Sequence, residues 1–250
     1  MMNHQHPSSA YEINQIEKDD SWRLFRIIGE FVDGFETMAG VEPAVSFYGS
    51  ARHLDRRSRI YRETEELAYR LGKMGFSVIT GGGPGIMEAA NRGAIRAGSQ
   101  SIGLNISLPR EQRANLYTTR SLSFHHFFVR KVMLVKYTSA FIFMPGGLGT
   151  LDEMSEVLTL MQTKTIRPFP VLLYNREYWR GFLEWLKNTV LKQSFIDEED
   201  LALLRLCDTI EQVTDSVREW HDEHRLVGDR AVSLHNNKNN MSMKREVSGG

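Results

Sequence analysis

The chain has 250 residues, of which 41% are hydrophobic, enough for a sizeable core in one large domain or two small ones. Lysine plus arginine and aspartate plus glutamate both number 31, so the formal net charge is zero, and we predict no nucleic-acid partner. The single cysteine, Cys207, excludes an intrachain disulfide framework and a cysteine zinc cluster. No apolar run approaches the ~20 residues of a membrane-spanning helix, and residues 1–9 lack the apolar core of a secretory signal, so we expect a cytoplasmic protein with no membrane partner.

The first part of the chain predicts a helix that lies ahead of the main fold. Residues 1–20 are polar and aperiodic, which is typical of a mobile arm. From Trp22 to Met38, apolar residues recur at helical spacing, and Gly40 and Pro43 end this helix. Because the helix precedes the first strand, its aromatic face must be covered by the domain or by another subunit.

Short apolar runs alternate with helix-like segments over the rest of the chain. The predicted strands are Ala44–Tyr48, Phe76–Thr80, Ser101–Leu104, Leu122–Phe124, Ala140–Met144, Val171–Tyr174 and Leu206–Asp208. The predicted helices are Ser58–Met74, an alanine-rich helix ending near Ala97, Phe127–Tyr137, Thr150–Lys164, Tyr178–Leu191, Glu198–Leu204 and Ile210–Trp220. This alternation predicts an α/β fold, a doubly wound parallel sheet flanked by helices, with the extra N-terminal helix. We expect one domain over residues 21–227 and a disordered tail over residues 228–250.

Three loops that contain glycine directly follow predicted strands. They are Gly49-Ser50, Gly81–Gly85 and the longer stretch Pro145–Glu153, which holds three glycines. Because loops that follow parallel strands open onto the same edge of a sheet, all three should line one site. A glycine-rich turn ahead of a helix binds anions, since free N–H groups and the positive end of the helix dipole point at it. The sequence therefore predicts a phosphate site at this edge, with Ser50 and Gly82 among its contacts.

The Gly81–Gly85 loop departs from the established nucleotide-binding patterns. Gly81 and Gly83 have the spacing of the dinucleotide-binding motif, but Ile86 stands where its third glycine belongs. No Gly-Lys-Ser or Gly-Lys-Thr follows, so the loop is no Walker loop either, and we predict no cofactor. A plain tight turn with Pro84 at the first helical position is the alternative. The second glycine-rich loop at a corresponding place favours phosphate binding.

Glu153 has two interpretations that its spacing leaves open. Thr150 and Glu153 have the Thr-x-x-Glu spacing of a capping box, in which the two side chains satisfy each other's backbone donors at a helix start. In that case Glu153 is structural. In the other interpretation, its carboxylate lies at the mouth of the phosphate loop and contacts the ligand.

Basic and imidazole side chains gather around residues 125–131. Arg130 and Lys131 lie early in a predicted helix, where a solvated surface pair is one interpretation and a role at the glycine-rich edge is the other. His125 and His126 are adjacent, which suits neither a helix-face metal site nor a catalytic pair, so we interpret them as structural. No set of side chains has metal-ligand spacing, and we predict no metal.

The two glycine motifs together resemble the LONELY GUY family. The resemblance is carried by the runs Gly81–Met87 and Pro145–Glu153, and it spans about Ala44 to Tyr174. Members of that family are cytokinin riboside 5′-monophosphate phosphoribohydrolases, long mislabelled as lysine decarboxylases. The resemblance implies a Rossmann-like fold and a homodimer, or a higher homo-oligomer, with active sites near the subunit interface. It also implies hydrolysis of the N-glycosidic bond of a nucleoside 5′-monophosphate such as AMP.

The resemblance also implies roles for single residues. The family's catalytic glutamate falls on Glu153 and its catalytic arginine on Arg130. The matching substrate-binding positions are Gly83, Gly85, Met87, Glu88, Lys131, Gly146, Gly147, Gly149 and Thr150. One departure concerns the residues just before the Arg-Lys pair, where family members often carry Met-His and this chain has Phe127-Phe128-Val129. We therefore expect the surroundings of the base or ribose to differ.

Two functions of different classes compete. The first is a phosphoribohydrolase that releases free base and ribose 5-phosphate, and Glu153 together with Arg130 favours it. The second is a non-catalytic protein that binds a nucleotide or a molybdenum cofactor on the same fold, which does not need both residues. A DNA-processing relative of the fold is a third alternative, against which the zero net charge counts. Nothing in the sequence indicates a pyridoxal phosphate site, and the preferred base stays open.

Overall fold

Seven parallel strands form one sheet at the centre of the structure. The structure, a computed structural model, describes residues 20–52, 55–107 and 114–224. The strands are β1 Ala44–Tyr48, β2 Ser77–Thr80, β3 Ser101–Ile106, β4 Arg120–Phe124, β5 Ala140–Phe143, β6 Val171–Tyr174 and β7 Leu204–Cys207. The sheet predicted from the sequence is confirmed, although β7 begins two residues earlier than predicted, because Leu204 pairs with Val171 of β6.

Eight helices surround the sheet within the described residues. They are α1 Asp20–Thr37, α2 Arg59–Lys73, α3 Ile86–Ala97, α4 Phe127–Lys136, α5 Leu148–Gln162, α6 Arg176–Trp185, α7 Glu198–Ala202 and α8 over residues 210–224. A π-helical turn, Leu186–Leu191, continues α6. The predicted helix Glu198–Leu204 is too long, because its last residue belongs to β7. The predicted arm, apart from residue 20, and the predicted tail lie outside the described residues.

The strand order is β4-β3-β2-β1-β5-β6-β7, and all neighbouring strands run parallel. The chain runs outward from β1 to β4, returns to place β5 beside β1, and then runs outward in the other direction. The direction of winding therefore reverses between β1 and β5, where Tyr48 pairs with Phe143. In open parallel sheets, ligands bind outside the carboxyl ends of the strands at such a switch point.

Both faces of the sheet are covered, and this explains the continuous apolar runs in the sequence. Every residue of β1, β2, β5 and β6 is buried. Alternate side chains of β1 serve two cores: Ala44 and Tyr48 pack with α4 and α5, whereas Val45 and Phe47 pack with α2 and α3. The first core also receives α1 and α6, and the second receives α8.

The added helix α1 is attached to the edge of the sheet at the start of α4. Glu30 accepts hydrogen bonds from the backbone N–H groups of His125, at 3.0 Å, and His126, at 3.2 Å. These contacts place both histidines at the junction of α1 and α4. The outer face of α1 keeps large apolar side chains in contact with solvent: Trp22, Phe25, Ile28, Val32 and Phe35. None of the helices in residues 20–52, 55–107 and 114–224 is both long and apolar enough to cross a membrane.

Candidate functional site

The three glycine-containing loops meet at the switch point, as their positions after β1, β2 and β5 require. The backbone N–H of Ser50 donates to the carbonyl of Pro145 at 3.0 Å, and the carbonyl of Ser50 accepts from the N–H of Ile86 at 3.1 Å. Gly85 has a φ of +70°, and a Cβ at this position would clash with the carbonyl of Ser50 and lie 2.7 Å from that of Arg52. The close packing of the loop after β2 on the loop after β1, together with the positive φ, explains the need for glycine at this position.

A buried polar network fixes the first glycine loop from below. The Thr80 hydroxyl donates to Asn91 Oδ1 at 2.7 Å and accepts from the Gly82 N–H at 3.0 Å. Asn115 donates from its backbone to the Gly82 carbonyl at 2.8 Å and from its side chain to the Gly83 carbonyl at 3.0 Å. Because these carbonyls are satisfied, the loop is held in one conformation at the start of α3. Sequence reasoning missed these residues, and the signal for Asn91 was a polar side chain on the apolar face of an alanine-rich helix.

The second glycine loop decides between the two interpretations of Glu153. Helix α5 begins at Leu148, with Gly147 as its N-cap and no side-chain cap. The N–H groups of Thr150 and Leu151 both bond to the Gly147 carbonyl, at 3.0 Å and 3.1 Å. Thr150 is therefore the third helical residue, and the capping-box interpretation is wrong. The helix starts earlier because the carbonyl of Gly147 already accepts the first helical bonds.

The start of α5 carries both exposed backbone and buried side chains. Gly147 and Gly149 are exposed, and a Cβ on either would meet no atom within 4 Å. Thr150 is buried, and its hydroxyl lies so close behind Gly146 that a Cβ there would clash with it. The first N–H groups of a helix have no partner within the helix, so this exposed end is available to an anion.

Arg130 and Glu153 come together below the loops. The guanidinium Nη1 of Arg130 lies 4.0 Å from Oε1 of Glu153, and 14% and 7% of the two side chains are exposed. Arg130 Nε donates to the Leu104 carbonyl at 2.7 Å, which ties the arginine to the end of β3. A Cβ on Gly81 would lie 2.5 Å from Nη2 of Arg130, so the absence of a side chain there makes room for the guanidinium. The interpretation of Arg130 as a solvated surface residue is therefore wrong.

The electrostatics of the pair are dominated by burial. Burial raises the pKa of Glu153 to about 7, while the positive charges of Arg130 and Lys131 oppose that rise. Burial also lowers the pKa of the Arg130 guanidinium from its ordinary value, against the attraction of Glu153. The second carboxylate oxygen of Glu153, Oε2, has no hydrogen-bond partner among the described residues. The site thus holds a carboxyl group that changes its charge near neutral pH.

Lys131 is used differently from its neighbour Arg130. Its Nζ lies 2.8 Å from Oδ2 of Asp152 and 3.0 Å from Oε2 of Glu156. Burial alone would lower the pKa of Lys131, but the bonds to Asp152 and Glu156 raise it above the ordinary value. The ammonium group therefore links α4 to two residues of α5, Asp152 and Glu156, that flank Glu153 in the sequence.

The remaining predicted contacts divide between the site and its flank. Met87 is buried with its sulfur against Gly81, where it borders Arg130. Glu88 accepts from the hydroxyl of Tyr61 at 2.7 Å and from Arg56 Nε at 3.0 Å. The structure thus gives the Glu88 carboxylate partners from α2 and from the loop after β1.

Tyr48 is a residue of the site that the sequence did not indicate, because it ends an apolar strand. Its ring stacks on Phe143 with 4.8 Å between centroids. Its hydroxyl is buried and has no partner within the described ranges. Burial, and next the negative charge of Glu153, raise the pKa of the Tyr48 phenol well above its usual value. Tyr48 therefore remains a neutral hydroxyl beside Glu153.

The architecture is that of Rossmann-like α/β proteins with glycine-rich loops at the switch point of a parallel sheet. Comparison with known families shows which family this chain belongs to. The family model described as "Possible lysine decarboxylase" matches residues 87–217, just over half of the chain. The chain belongs to this family, which is the LONELY GUY family.

Plant enzymes are among the similar curated proteins. The cytokinin riboside 5′-monophosphate phosphoribohydrolase LOG of Oryza sativa subsp. japonica is 28% identical over 185 residues, 72% of this chain and 74% of the relative. The Arabidopsis thaliana enzyme LOG3, with the same named activity, is 27% identical over 186 residues, 72% of this chain and 84% of the relative.

Solved structures of molybdenum cofactor proteins share the fold. The Chlamydomonas reinhardtii molybdenum cofactor carrier protein has a TM-score of 0.52 at 17% identity, covering 72% of this chain and 99% of that one. The molybdenum cofactor binding protein of Rippkaea orientalis has a TM-score of 0.50 at 20% identity, covering 70% of this chain and 94% of that one. At these identities the likeness concerns the fold alone.

Proposed function

We propose that this protein hydrolyses the N-glycosidic bond of a nucleoside 5′-monophosphate and releases free base and ribose 5-phosphate. The observation that carries the proposal is the buried pair of Arg130 and Glu153, 4.0 Å apart, directly below two glycine loops that end in helix starts. The named activity of the plant relatives supports the same reaction.

The 5′-phosphate binds at the exposed start of α5 in this proposal. Gly146, Gly147 and Gly149 let the ligand approach the backbone, and the helix dipole favours the phosphate charge. Thr150 supports the turn from behind, where its hydroxyl contacts Gly146. We expect Ser50, Gly82, Gly83, Gly85 and Met87 to contact the ligand from the opposite side, with Glu88 and its partners at the flank of that side. Binding energy from the phosphate positions the sugar over Glu153.

Glu153 carries the chemical step. Cleavage of a glycosidic bond passes through an oxocarbenium-like state, which a carboxylate stabilises. The water oxygen bonds to the anomeric carbon, its proton goes to Glu153, and the bond from that carbon to the base nitrogen breaks with its electron pair on the base. A proton then returns to the base. A carboxyl group with a pKa of about 7 is well matched to accept a proton at neutral pH.

Arg130 and Lys131 keep Glu153 in a productive state. Arg130 provides the positive charge that opposes the effect of burial, so part of the Glu153 population stays ionised. Its bond to the Leu104 carbonyl fixes the guanidinium, and the bonds of Lys131 fix α4 against α5. Such positioning matters because small displacements of a catalytic group cost much of the rate.

The alternative is a protein that binds a nucleotide or a molybdenum cofactor without catalysis. The fold likeness to the molybdenum cofactor proteins fits it. A protein that only binds the ligand does not need both Arg130 and Glu153, whereas cleavage of the glycosidic bond uses both. Glu153 therefore favours the enzyme.

Incubation with AMP separates the two functions. The enzyme releases adenine, which chromatography detects, and ribose 5-phosphate in equal amount. A protein that gains thermal stability with AMP but releases no adenine is a binder. A panel of nucleoside 5′-monophosphates then defines the preferred base, plain or prenylated.

We also propose that the protein assembles as a homodimer or larger homo-oligomer. The exposed apolar faces of α1 and α4 support this proposal, with Trp22 and Phe25 at 67% and 65% exposure and Phe127 at 53%. Light scattering of the full chain measures the mass, and Phe25→Asp should lower it.

A further inference from the structure

The first turn of helix α6 contacts the second glycine loop through Tyr178. The hydroxyl of Tyr178 donates to the carbonyl of Gly146. Tyr178 is 48% exposed, so it stands at the mouth of the site rather than in the core. Neither the motifs of the sequence nor the proposed reaction assigns it a role.

Three contacts hold the first turn of α6 in place and thereby fix the direction in which Tyr178 points. Asn175 caps the helix by accepting from the N–H of Tyr178 at 3.2 Å. Arg176 is held by Asp208, with its Nε 2.8 Å from Oδ2. The ring of Tyr178 packs edge-on against the buried Trp179, whose Nε1 donates to the Tyr174 carbonyl at 3.1 Å.

With this contact, three successive carbonyl groups of the loop each accept a hydrogen bond. The Pro145 carbonyl accepts from the Ser50 N–H at 3.0 Å, and the Gly147 carbonyl accepts from the Thr150 N–H at 3.0 Å. The Gly146 carbonyl between them accepts from Tyr178. Carbonyl oxygens repel a phosphate, whereas N–H groups attract it, so all three oxygens are engaged away from a bound anion.

The planarity of the peptide bond extends this effect to the N–H of Gly147. In a trans peptide, the carbonyl of Gly146 and the N–H of Gly147 point in opposite directions. The peptide joins two glycines: Thr150 packs behind Gly146, but nothing lies within 4 Å of a Cβ built on Gly147, so the Gly147 side of the peptide is open. A donor that holds the Gly146 carbonyl toward α6 therefore aims the Gly147 N–H away from α6.

We propose that Tyr178 is a positioning residue that orients the Gly146–Gly147 peptide and thereby selects ligands with a 5′-phosphate. The proposal rests on the proposed function in one respect, that this loop receives the phosphate. Tyr178 touches the loop and acts on the ligand through it.

Replacement of the hydroxyl alone tests this role. Tyr178→Phe keeps the ring and its packing, and calorimetry compares the binding of AMP and adenosine to wild type and variant. We expect AMP binding to weaken about tenfold, because a misdirected Gly147 N–H loses its hydrogen bond to the charged phosphate, with adenosine binding unchanged. In turnover, KM for AMP rises while kcat changes little. Tyr69→Phe, on the far side of the sheet in α2, is the matched control and should leave both affinities unchanged.

The outcomes separate this inference from the proposed function. Equal AMP affinity in wild type and Tyr178→Phe overturns the role of Tyr178, whether or not adenine is released. An equal loss for AMP and adenosine also overturns it, since general damage then explains the result. Absence of AMP binding by the wild-type protein removes the basis of both proposals. Tight binding without adenine release refutes only the reaction, and the selective loss in the variant still supports the role of Tyr178.

Discussion

Nη1 of Arg130 lies 4.0 Å from Oε1 of Glu153, and both side chains are largely buried. One carboxylate oxygen, Oε2, has no hydrogen-bond partner in the part of the chain that the structure describes. A fully satisfied ion pair would hold Glu153 ionised at all ordinary pH values. This looser contact leaves burial in control and places the pKa of Glu153 at about 7.

The pH dependence of turnover should report that pKa. If the ionised form of Glu153 accepts the proton, kcat/KM falls about tenfold per pH unit below about pH 7 and levels off above it. Initial rates of adenine release between pH 5 and 9 measure the profile. A midpoint near 4.5, the ordinary glutamate value, would contradict the role assigned to burial.

Removal of the positive charge of Arg130 should shift the pH profile of kcat/KM. Arg130→Met keeps the length of the side chain but leaves Glu153 with less compensation, so its pKa rises and the midpoint shifts to higher pH. We expect a loss of about 10²–10³ in kcat at neutral pH. Arg130→Lys retains the charge and should keep the midpoint closer to that of wild type. Equal midpoints in wild type and Arg130→Met would show that the guanidinium does not act on Glu153.

Folding stability should depend on the same group, with a definite sign. The pKa of Glu153 is raised on folding, so the folded protein binds the proton more tightly than the unfolded chain does. The stabilisation that results from this raised pKa is fully present below about pH 4.5 and is lost as the pH rises to about 7. The free energy of unfolding then changes by at most about 1.4 kcal/mol per pH unit.

Glu153→Gln removes this titration from the folding equilibrium. Its free energy of unfolding should therefore increase relative to wild type as pH rises from 5 to 8, as measured by urea denaturation. A constant difference across this range would mean that Glu153 does not titrate there.

The phosphate loop offers a test with two glycines. Gly146→Ala places a Cβ against the hydroxyl of Thr150, so the loop must shift and AMP affinity should fall at least tenfold. Gly181→Ala in α6 meets no atom within 4 Å and should bind AMP normally, with stability raised by about 0.5–1 kcal/mol. Calorimetry and thermal denaturation of both variants measure these effects. Unchanged affinity in Gly146→Ala would place the phosphate elsewhere.

Much of the fold was predictable because its signals are local. Apolar runs followed by glycine gave the strands, and the rule for parallel sheets gave the convergence of the loops after Tyr48, Thr80 and Phe143. The start of α5 was predicted two residues too late, because the same spacing suits a helix that starts at Thr150 and one that starts at Leu148. The choice depends on the Gly147 carbonyl, which no residue pattern encodes.

The supporting residues of the site could not be predicted for a different reason. Asn91, Asn115 and Tyr178 come from three separate parts of the chain, and each acts through hydrogen bonds to residues of other segments. Tyr48 ends an apolar strand, where the sequence does not distinguish a tyrosine of the site from one that only packs in the core. Their partners are defined only once the chain is folded.

The most direct test of the account is a single-turnover measurement of adenine release from AMP by Glu153→Gln. The substitution keeps the shape of the side chain but removes the group that accepts the proton. We predict that the rate falls by at least 10²-fold while AMP affinity is kept or rises, because one negative charge beside the phosphate is gone. Glu219→Gln, an exposed carboxylate on α8 away from the loops, is the control and should retain the wild-type rate. Adenine release by Glu153→Gln at the wild-type rate would contradict the central claim that this carboxylate performs the chemistry.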